Sequence, residues 1–434
     1  MTRLLYGLIF VIIGANATAQ QNQIDVIRHD APELADFGNY AVGVRTLRLS
    51  NPDQIDVLNT RESSGVARYA RRLTVEVWYP ASLEPGQSAG GRYETTTRNL
   101  AVTATLHGRA VRNAEPISEA GPIPLVIISH GYPGNRYLMS HLAENLASKG
   151  YVVASIDHAD STYEDQATVW STLYHRPLDQ QFVIDKLSLL SMSKDSFLNN
   201  IIDQNRIGVV GYSMGGYGLL VNLGAGYTDA TAGFAEDLPG DVANRHAASN
   251  QGAQSSVDSR IKAGIAIAPC CMNRGMWDQN SLAQITAPVM FMAGSVDETA
   301  GYENGVRAIF DGTVNSDRFL LTFLNAGHNA IAPVPLPLEI HESADQAGAF
   351  HYTDAVWDSV RSSNIMFHFA TAFLDLHLKD DASRMRYLDL VANSQDGVWS
   401  VEDSEATDAH TYWVGFPQYS ARGLVLEHLV PEQE

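Results

Sequence analysis

The sequence predicts an α/β fold: a mostly parallel, doubly wound sheet interrupted by insertions. Short continuous apolar runs, such as Leu125-Val126-Ile127-Ile128 and Ile207-Gly208-Val209-Val210, have the composition of strands covered on both faces. Segments with apolar residues at helical spacing stand between such runs, so strand and helix alternate along the chain. The run at 207–210 stops at Gly211-Tyr212-Ser213-Met214-Gly215, where a serine is flanked by glycines and a helix-compatible segment, 217–223, follows at once.

Taken in order, residues 1–19 read as a secretory leader, with Arg3, an apolar run over 4–13 and the small-x-small site Ala17-Thr18-Ala19 ahead of Gln20. The run is too short to span a bilayer, so an exported protein, periplasmic or secreted, is expected. Residues 20–434 are expected to form a single domain with its core at 120–380, insertions at 80–124 and 224–258, and a C-terminal appendage at 381–434. Residues 40–50 and 72–79 alternate apolar and polar side chains, as antiparallel strands at a sheet edge do. Residues 80–124 show little periodicity and read as a surface excursion.

The core opens with a strand at 125–129, the loop His130-Gly131-Tyr132-Pro133-Gly134 and a helix at 136–148 ended by Gly150. A strand at 151–156 runs into Asp157-His158. Residues 160–180 are less regular but carry Tyr163, Trp170 and Tyr174, and an amphipathic helix follows with Val183, Leu187 and Leu190 on one side. Beyond 217–223, residues 224–258 read as a solvated insertion. Strands at 261–268, 288–293 and 318–324 alternate with helices at 277–285, 303–310 and 354–378.

A formal charge of −20 argues against nucleic acid or an anionic membrane as partner, and a neutral or cationic substrate fits it better than a polyanionic one. The two cysteines, Cys270 and Cys271, are neighbours, so there is no disulfide framework. Successive Cα atoms lie nearer than ordinary disulfide geometry prefers, and two buried thiols are expected rather than a vicinal bond. The chain has no H-E-x-x-H pattern, Walker loop or helix-opening G-x-G-x-x-G, so neither metal nor cofactor is expected.

Gly211-Tyr212-Ser213-Met214-Gly215 is the pattern of a nucleophile elbow, a strand-to-helix turn too tight for side chains at its glycines. It would project Ser213 Oγ from the sheet. A serine hydroxyl is a poor nucleophile at neutral pH and needs a base, which in turn needs an orienting carboxylate. Both should lie at the ends of later strands, acid before histidine. Asp297 follows the strand at 288–293 and His328 follows that at 318–324. Asp258 and Asp278 end no strand, and His341 and His351 lie well past a strand end.

An oxyanion requires two preset N–H donors. Met214, following the serine, is one candidate, and the loop at 130–134 should supply the other. Tyr132 is chosen, since Pro133 has no N–H, and Gly131 is the competing choice. His130 and His158 precede Ser213 and read as loop-bracing residues; His158, at a strand end, is also a candidate substrate contact. Tyr132, Trp170, Tyr174, Tyr217 and Trp277 are candidates for a pocket wall, Trp170 foremost.

At these residues the chain resembles the α/β-hydrolase superfamily, and in detail its branch of platelet-activating-factor acetylhydrolases and dienelactone-hydrolase-like esterases. The resemblance rests on residues 128–134, on Gly150 to His158, on Arg206 to Gly216 and on the Asp297 and His328 loops, covers roughly 120–380, and is most specific at the elbow. The Tyr132 and Met214 pair is also similar to that of bacterial cutinase-type polyester hydrolases. What the resemblance implies is the α/β-hydrolase fold and serine-dependent hydrolysis of carboxylic esters, with a small-molecule or lipid-like ester as substrate and often short acyl groups such as acetyl. Dienelactone hydrolases carry cysteine where this chain has Ser213, which sets lactone specificity apart from it.

Overall fold

The computed structural model describes residues 21–117, 121–235, 237–250, 257–344, 346–403 and 405–431; the leader expected over 1–19 lies outside them. The principal strands, in chain order, are β1 (Ala41–Ile55), β2 (Arg68–Ser82), β3 (Gly91–Thr96), β4 (Thr103–Gly108), β5 (Ile123–Ser129), β6 (Val152–Asp157), β7 (Ile202–Tyr212), β8 (Ile261–Ile267), β9 (Val289–Gly294), β10 (Arg318–Phe323) and β11 (Leu424–Leu429). An 11-stranded sheet has the order β11-β10-β9-β8-β7-β5-β6-β2-β1, with the short strand Val111–Arg112 beyond β1 and Glu115–Pro116 paired to β2. From β10 to β6 every pairing is parallel. β1 and β2 pair antiparallel at one end, as their alternation predicts, and β11 pairs antiparallel at the other.

Successive strand side chains point to opposite faces, and the apolar runs fill a core on each. Val126, Ile128 and Val210 pack on one side with Leu142 and Leu146 of α1 (Ser140–Ser148) and with Phe369 and Phe373 of the long helix Ser359–Leu378. Leu125, Ile127 and Val209 pack on the other with Leu173, Val183 and Leu187 of α2 (Val169–Met192) and Leu219 and Leu220 of α3 (Met214–Asn222). Each such side chain contributes about 1.5–3 kcal/mol by leaving water. The sheet is held between helices, and its strand ends carry the loops on which the candidate residues lie.

Four stretches differ from the sequence expectation, the first being 224–258, whose described residues are no solvated insertion: Tyr227, Ala232 and Ala247 pack into the core beside Leu219 and Leu220. Residues 80–124 are no mere excursion: β3 and β4 form a three-stranded sheet with Asn22–Gln23. The alternation is present in β3, where Gly91, Tyr93 and Thr95 face inward, but glycine, tyrosine and threonine do not register as an apolar stripe. Tyr93 O–H donates to the buried Glu144 of α1, which also accepts the N–H groups of Arg109 and Ala110.

Residues 160–180 are largely helical, because α2 starts at Val169 and continues through Pro177. Its inward face bears His175, Arg176, Asp179 and Gln180, polar residues that hide a buried face from a hydropathy reading. The expected appendage is part of the core: β11 extends the sheet, and Tyr387, Trp413 and Phe416 pack in the same cluster as Phe369. Among the described residues no helix is long and apolar enough to cross a membrane.

Candidate active site

Ser213 sits between β7 and α3 with φ 52° and ψ −111°, a strained conformation for a residue with a side chain. The glycines around it have definite steric causes. A Cβ on Gly211 would run into the backbone of Gly215, and one on Gly215 into the carbonyl of Ser129 at the end of β5. The turn is tied to the next strand by Ser213 N–H donating to Ile267 O at 2.9 Å and Cys270 N–H donating to Ser213 O at 3.2 Å. Tyr217 N–H also donates to Ser213 O, at 3.1 Å.

β9 ends at Gly294, and Asp297 follows in a turn where its N–H donates to Gly294 O at 3.3 Å. Asp297 Oδ1 accepts the N–H groups of Thr299 and Ala300, each at 2.8 Å, which fixes the carboxylate plane. Its Oδ2 lies 2.8 Å from His328 Nδ1. That contact puts the ring proton on Nδ1 and leaves the Nε2 lone pair facing Ser213 Oγ at 3.1 Å. Asp297 is 5 % and His328 7 % exposed, so the line of hydrogen bonds is largely withdrawn from water, where electrostatic interactions strengthen.

The histidine loop is held on three sides. Val296 N–H donates to Ala326 O at 3.1 Å, joining the acid and histidine loops. Asp354 Oδ2 accepts Gly327 N–H at 2.8 Å while Oδ1 accepts those of Val356 and Trp357. The Tyr212 ring lies 5.2 Å from the imidazole of His328, and its hydroxyl donates to Asn329 Oδ1 at 2.6 Å.

The loop at 130–134 lies against the elbow: a Cβ on Gly131 would stand 3.4 Å from Ser213 Cβ. Tyr132 N–H therefore belongs to the segment bordering the hydroxyl, and Met214 N–H opens α3 directly beside it. A serine hydroxyl facing an imidazole nitrogen, a carboxylate behind that ring, and a helix start and a loop beside the hydroxyl form an arrangement that can carry nucleophilic acyl chemistry. Among the described residues no group of three or more His, Cys, Asp or Glu is placed to hold a metal ion.

The chain matches a family model described as PET hydrolase-like over residues 81–232. It also superposes on a solved ferulic acid esterase from Streptomyces cinnamoneus with a TM-score of 0.51 and 18 % sequence identity, over 83 % of this chain and 94 % of that one. None of the curated proteins matches the sequence. The fold is the α/β-hydrolase fold.

Within this α/β-hydrolase fold, several expected site residues stand elsewhere. His158 is 1 % exposed, with Nδ1 on Asp179 at 3.0 Å and Nε2 on Ser129 Oγ at 2.9 Å, so it is sealed inside the fold and is not open to a substrate. It lies at a strand end, as expected, but α2 covers that end. Trp170 lines a cavity of about 280 Å³ with Val57, Leu58, Phe234 and Leu238, a lining that includes none of Ser213, Asp297 and His328. Tyr217 is fully buried and donates to Leu173 O, and Trp277 packs on it, their ring centres 5.6 Å apart. Tyr174 packs against His175 and His246.

Cys270 and Cys271 place their sulfur atoms against one another as a vicinal pair, where two separate buried thiols were expected. Cys271 adopts the left-handed region, φ 91°, in the turn that follows β8, a backbone state no sequence pattern announced. Tyr212 and Asp354 were not foreseen either. Tyr212 sits in the elbow motif itself, but its partner Asn329 is distant in sequence, and Asp354 reads as a helix start when Asp358 is the residue that caps the helix.

Proposed function

We propose that the protein is a serine-dependent carboxylic-ester hydrolase working through an acyl-enzyme. The observation that carries the reading is the unbroken line Ser213 Oγ, His328 Nε2, His328 Nδ1, Asp297 Oδ2, with contacts of 3.1 and 2.8 Å. The matched family is described as PET hydrolase-like and the superposed structure is a ferulic acid esterase, and both descriptions support the reading.

Ser213 Oγ attacks the ester carbonyl carbon as its proton passes to His328 Nε2, and Asp297 stabilises the imidazolium. The tetrahedral oxyanion is met by the N–H groups of Tyr132 and Met214, worth about 10²- to 10³-fold in turnover per donor. His328 returns the proton to the departing alcohol, leaving acyl-Ser213. Water, deprotonated by His328, then attacks the acyl carbon and releases the acid. Short-acyl esters, acetyl foremost, are the proposed substrate class. Export is part of the reading, supported by the leader pattern of residues 1–19.

A fluorophosphonate probe applied to wild type and Ser213→Ala, followed by an acyl-chain series of p-nitrophenyl esters and matched amides with and without an alcohol acceptor, tests it. Labelling and turnover that require Ser213, fastest on short acyl esters, are expected. Turnover surviving in Ser213→Ala would overturn the reading, and preference for amide or for alcohol acceptor would reassign it.

A further inference from the structure

Beneath the loop at 130–134 lies a polar network sealed from water. Arg176 of α2, 1 % exposed, donates through Nη1 to His130 O and through Nη2 to Gly131 O at 3.3 Å and Ser161 Oγ at 2.5 Å. His130, fully buried, places Nδ1 on the same Gly131 oxygen at 2.7 Å. Its Nε2 accepts His158 N–H at 3.3 Å, so the proton sits on Nδ1 and that nitrogen donates.

The nearby carboxylate, Asp179, is already engaged by Arg71 through two contacts of 2.8 and 2.9 Å and by His158 at 3.0 Å. Arg176 therefore spends its donors on the loop carbonyls rather than on an ion pair. One turn along α2 from Arg176, Gln180 Nε2 donates to Gly215 O at 3.2 Å, so the same helix face also touches the elbow.

The Gly131 carbonyl and the Tyr132 N–H belong to one planar peptide unit, and in a trans peptide they point in opposite directions. Two donors pulling that oxygen inward therefore turn the Tyr132 N–H outward. A guanidinium suits the task because its planar fork reaches two adjacent carbonyls at once, which an ammonium on a flexible stem does not. Donation into the carbonyl also polarises the peptide and strengthens its N–H as a donor.

We propose that Arg176 and His130 are positioning residues that orient the Tyr132 N–H toward the oxyanion by holding the carbonyl of its own peptide. This rests on the ester-hydrolase reading above. It assigns the buried polar face of α2 a role in turnover rather than in substrate affinity, since neither side chain reaches the surface where an ester would sit.

The test compares wild type, Arg176→Lys, His130→Ala and His130→Asn in kcat and KM on p-nitrophenyl acetate, and in affinity for a boronic acid that mimics the tetrahedral adduct, with the thermal midpoint as a folding check. Asparagine can place an amide N–H near the position of Nδ1; alanine cannot. Arg176→Lys and His130→Ala should each lose about 10- to 100-fold in kcat, short of the full loss of an oxyanion donor, with KM within about twofold. Boronate affinity should fall in step, and His130→Asn should recover most of the His130→Ala loss.

Folded Arg176→Lys or His130→Ala turning over at the wild-type rate, or a loss that appears in KM while boronate affinity holds, would overturn the proposal. If Arg176→Lys does not fold, the alanine and asparagine pair at His130 decides: no recovery by asparagine counts against the proposal. Failure of the underlying reading is told apart by wild type itself, which would then neither hydrolyse the ester nor take up the fluorophosphonate.

Discussion

Tyr212 O–H donates to Asn329 Oδ1 at 2.6 Å, so the residue before Ser213 is bonded to the residue after His328. Two strand ends separated by more than a hundred residues are thereby fastened at the point where their side chains must meet, and the tyrosine ring backs the imidazole as well. Tyr212→Phe keeps the ring and removes the fastening. It should cost about 1 kcal/mol of stability, read by urea denaturation. A matching loss of positioning would lower kcat by about fivefold, with KM little changed, in steady-state kinetics.

Asp297→Asn separates orientation from shape. Asparagine Oδ1 can still accept the N–H groups of Thr299 and Ala300, but its amide would present a donor to His328 Nδ1. The ring must then carry its proton on Nε2, facing Ser213, where it cannot act as base. A drop of about 10⁴-fold in kcat is expected, the size this change produces in other serine triads, with near wild-type thermal stability. Asp297→Ala should lose activity and stability together.

Gly215→Ala should prevent the elbow from forming. The added Cβ points at the Ser129 carbonyl, a backbone atom at the end of a strand buried from Pro124 onward, which has nowhere to retreat. Overpacking of this kind costs about 1–3 kcal/mol where neighbours can shift, and here they are main chain. The expected outcome is a lowered thermal midpoint and loss of fluorophosphonate labelling.

Stability should fall with acid. Burial drives the imidazoles of His141, His175, His351 and His368 down to about 3 and that of His246 to about 4, and holds those of His130 and His158 well below the ordinary histidine range. Their folded-state values lie below the unfolded one, so below about pH 6.5 the unfolded chain binds protons that the folded chain refuses. Stability is then full above that pH and is lost as pH falls toward 4, by up to about 1.4 kcal/mol per pH unit for each such histidine. Glu144 and Asp157, whose carboxyls burial pushes upward, act in the opposite sense but are outnumbered. Urea midpoints measured between pH 7.5 and 4.5 should decline steadily; a flat profile would contradict the buried neutral rings.

What was readable in the primary sequence is what is written locally. The central strands announce themselves because burial on both faces demands unbroken apolar runs, and the elbow because a turn that tight leaves no alternative to glycine at 211 and 215. Asp297 and His328 stand out by their places just past strands. These are constraints between neighbours, and each leaves its mark within about ten residues.

Tertiary structure decided the rest, since it turns on which distant segments meet. That β11 would close the sheet against β10, that β3 would pack its tyrosine on Glu144, that His158 would be roofed over by α2 and that the guanidinium of Arg176 would find the Gly131 carbonyl are all pairings between remote stretches. A buried polar residue looks in sequence like an exposed one. Only the partner that satisfies its hydrogen bonds distinguishes them, and that partner is supplied by the fold.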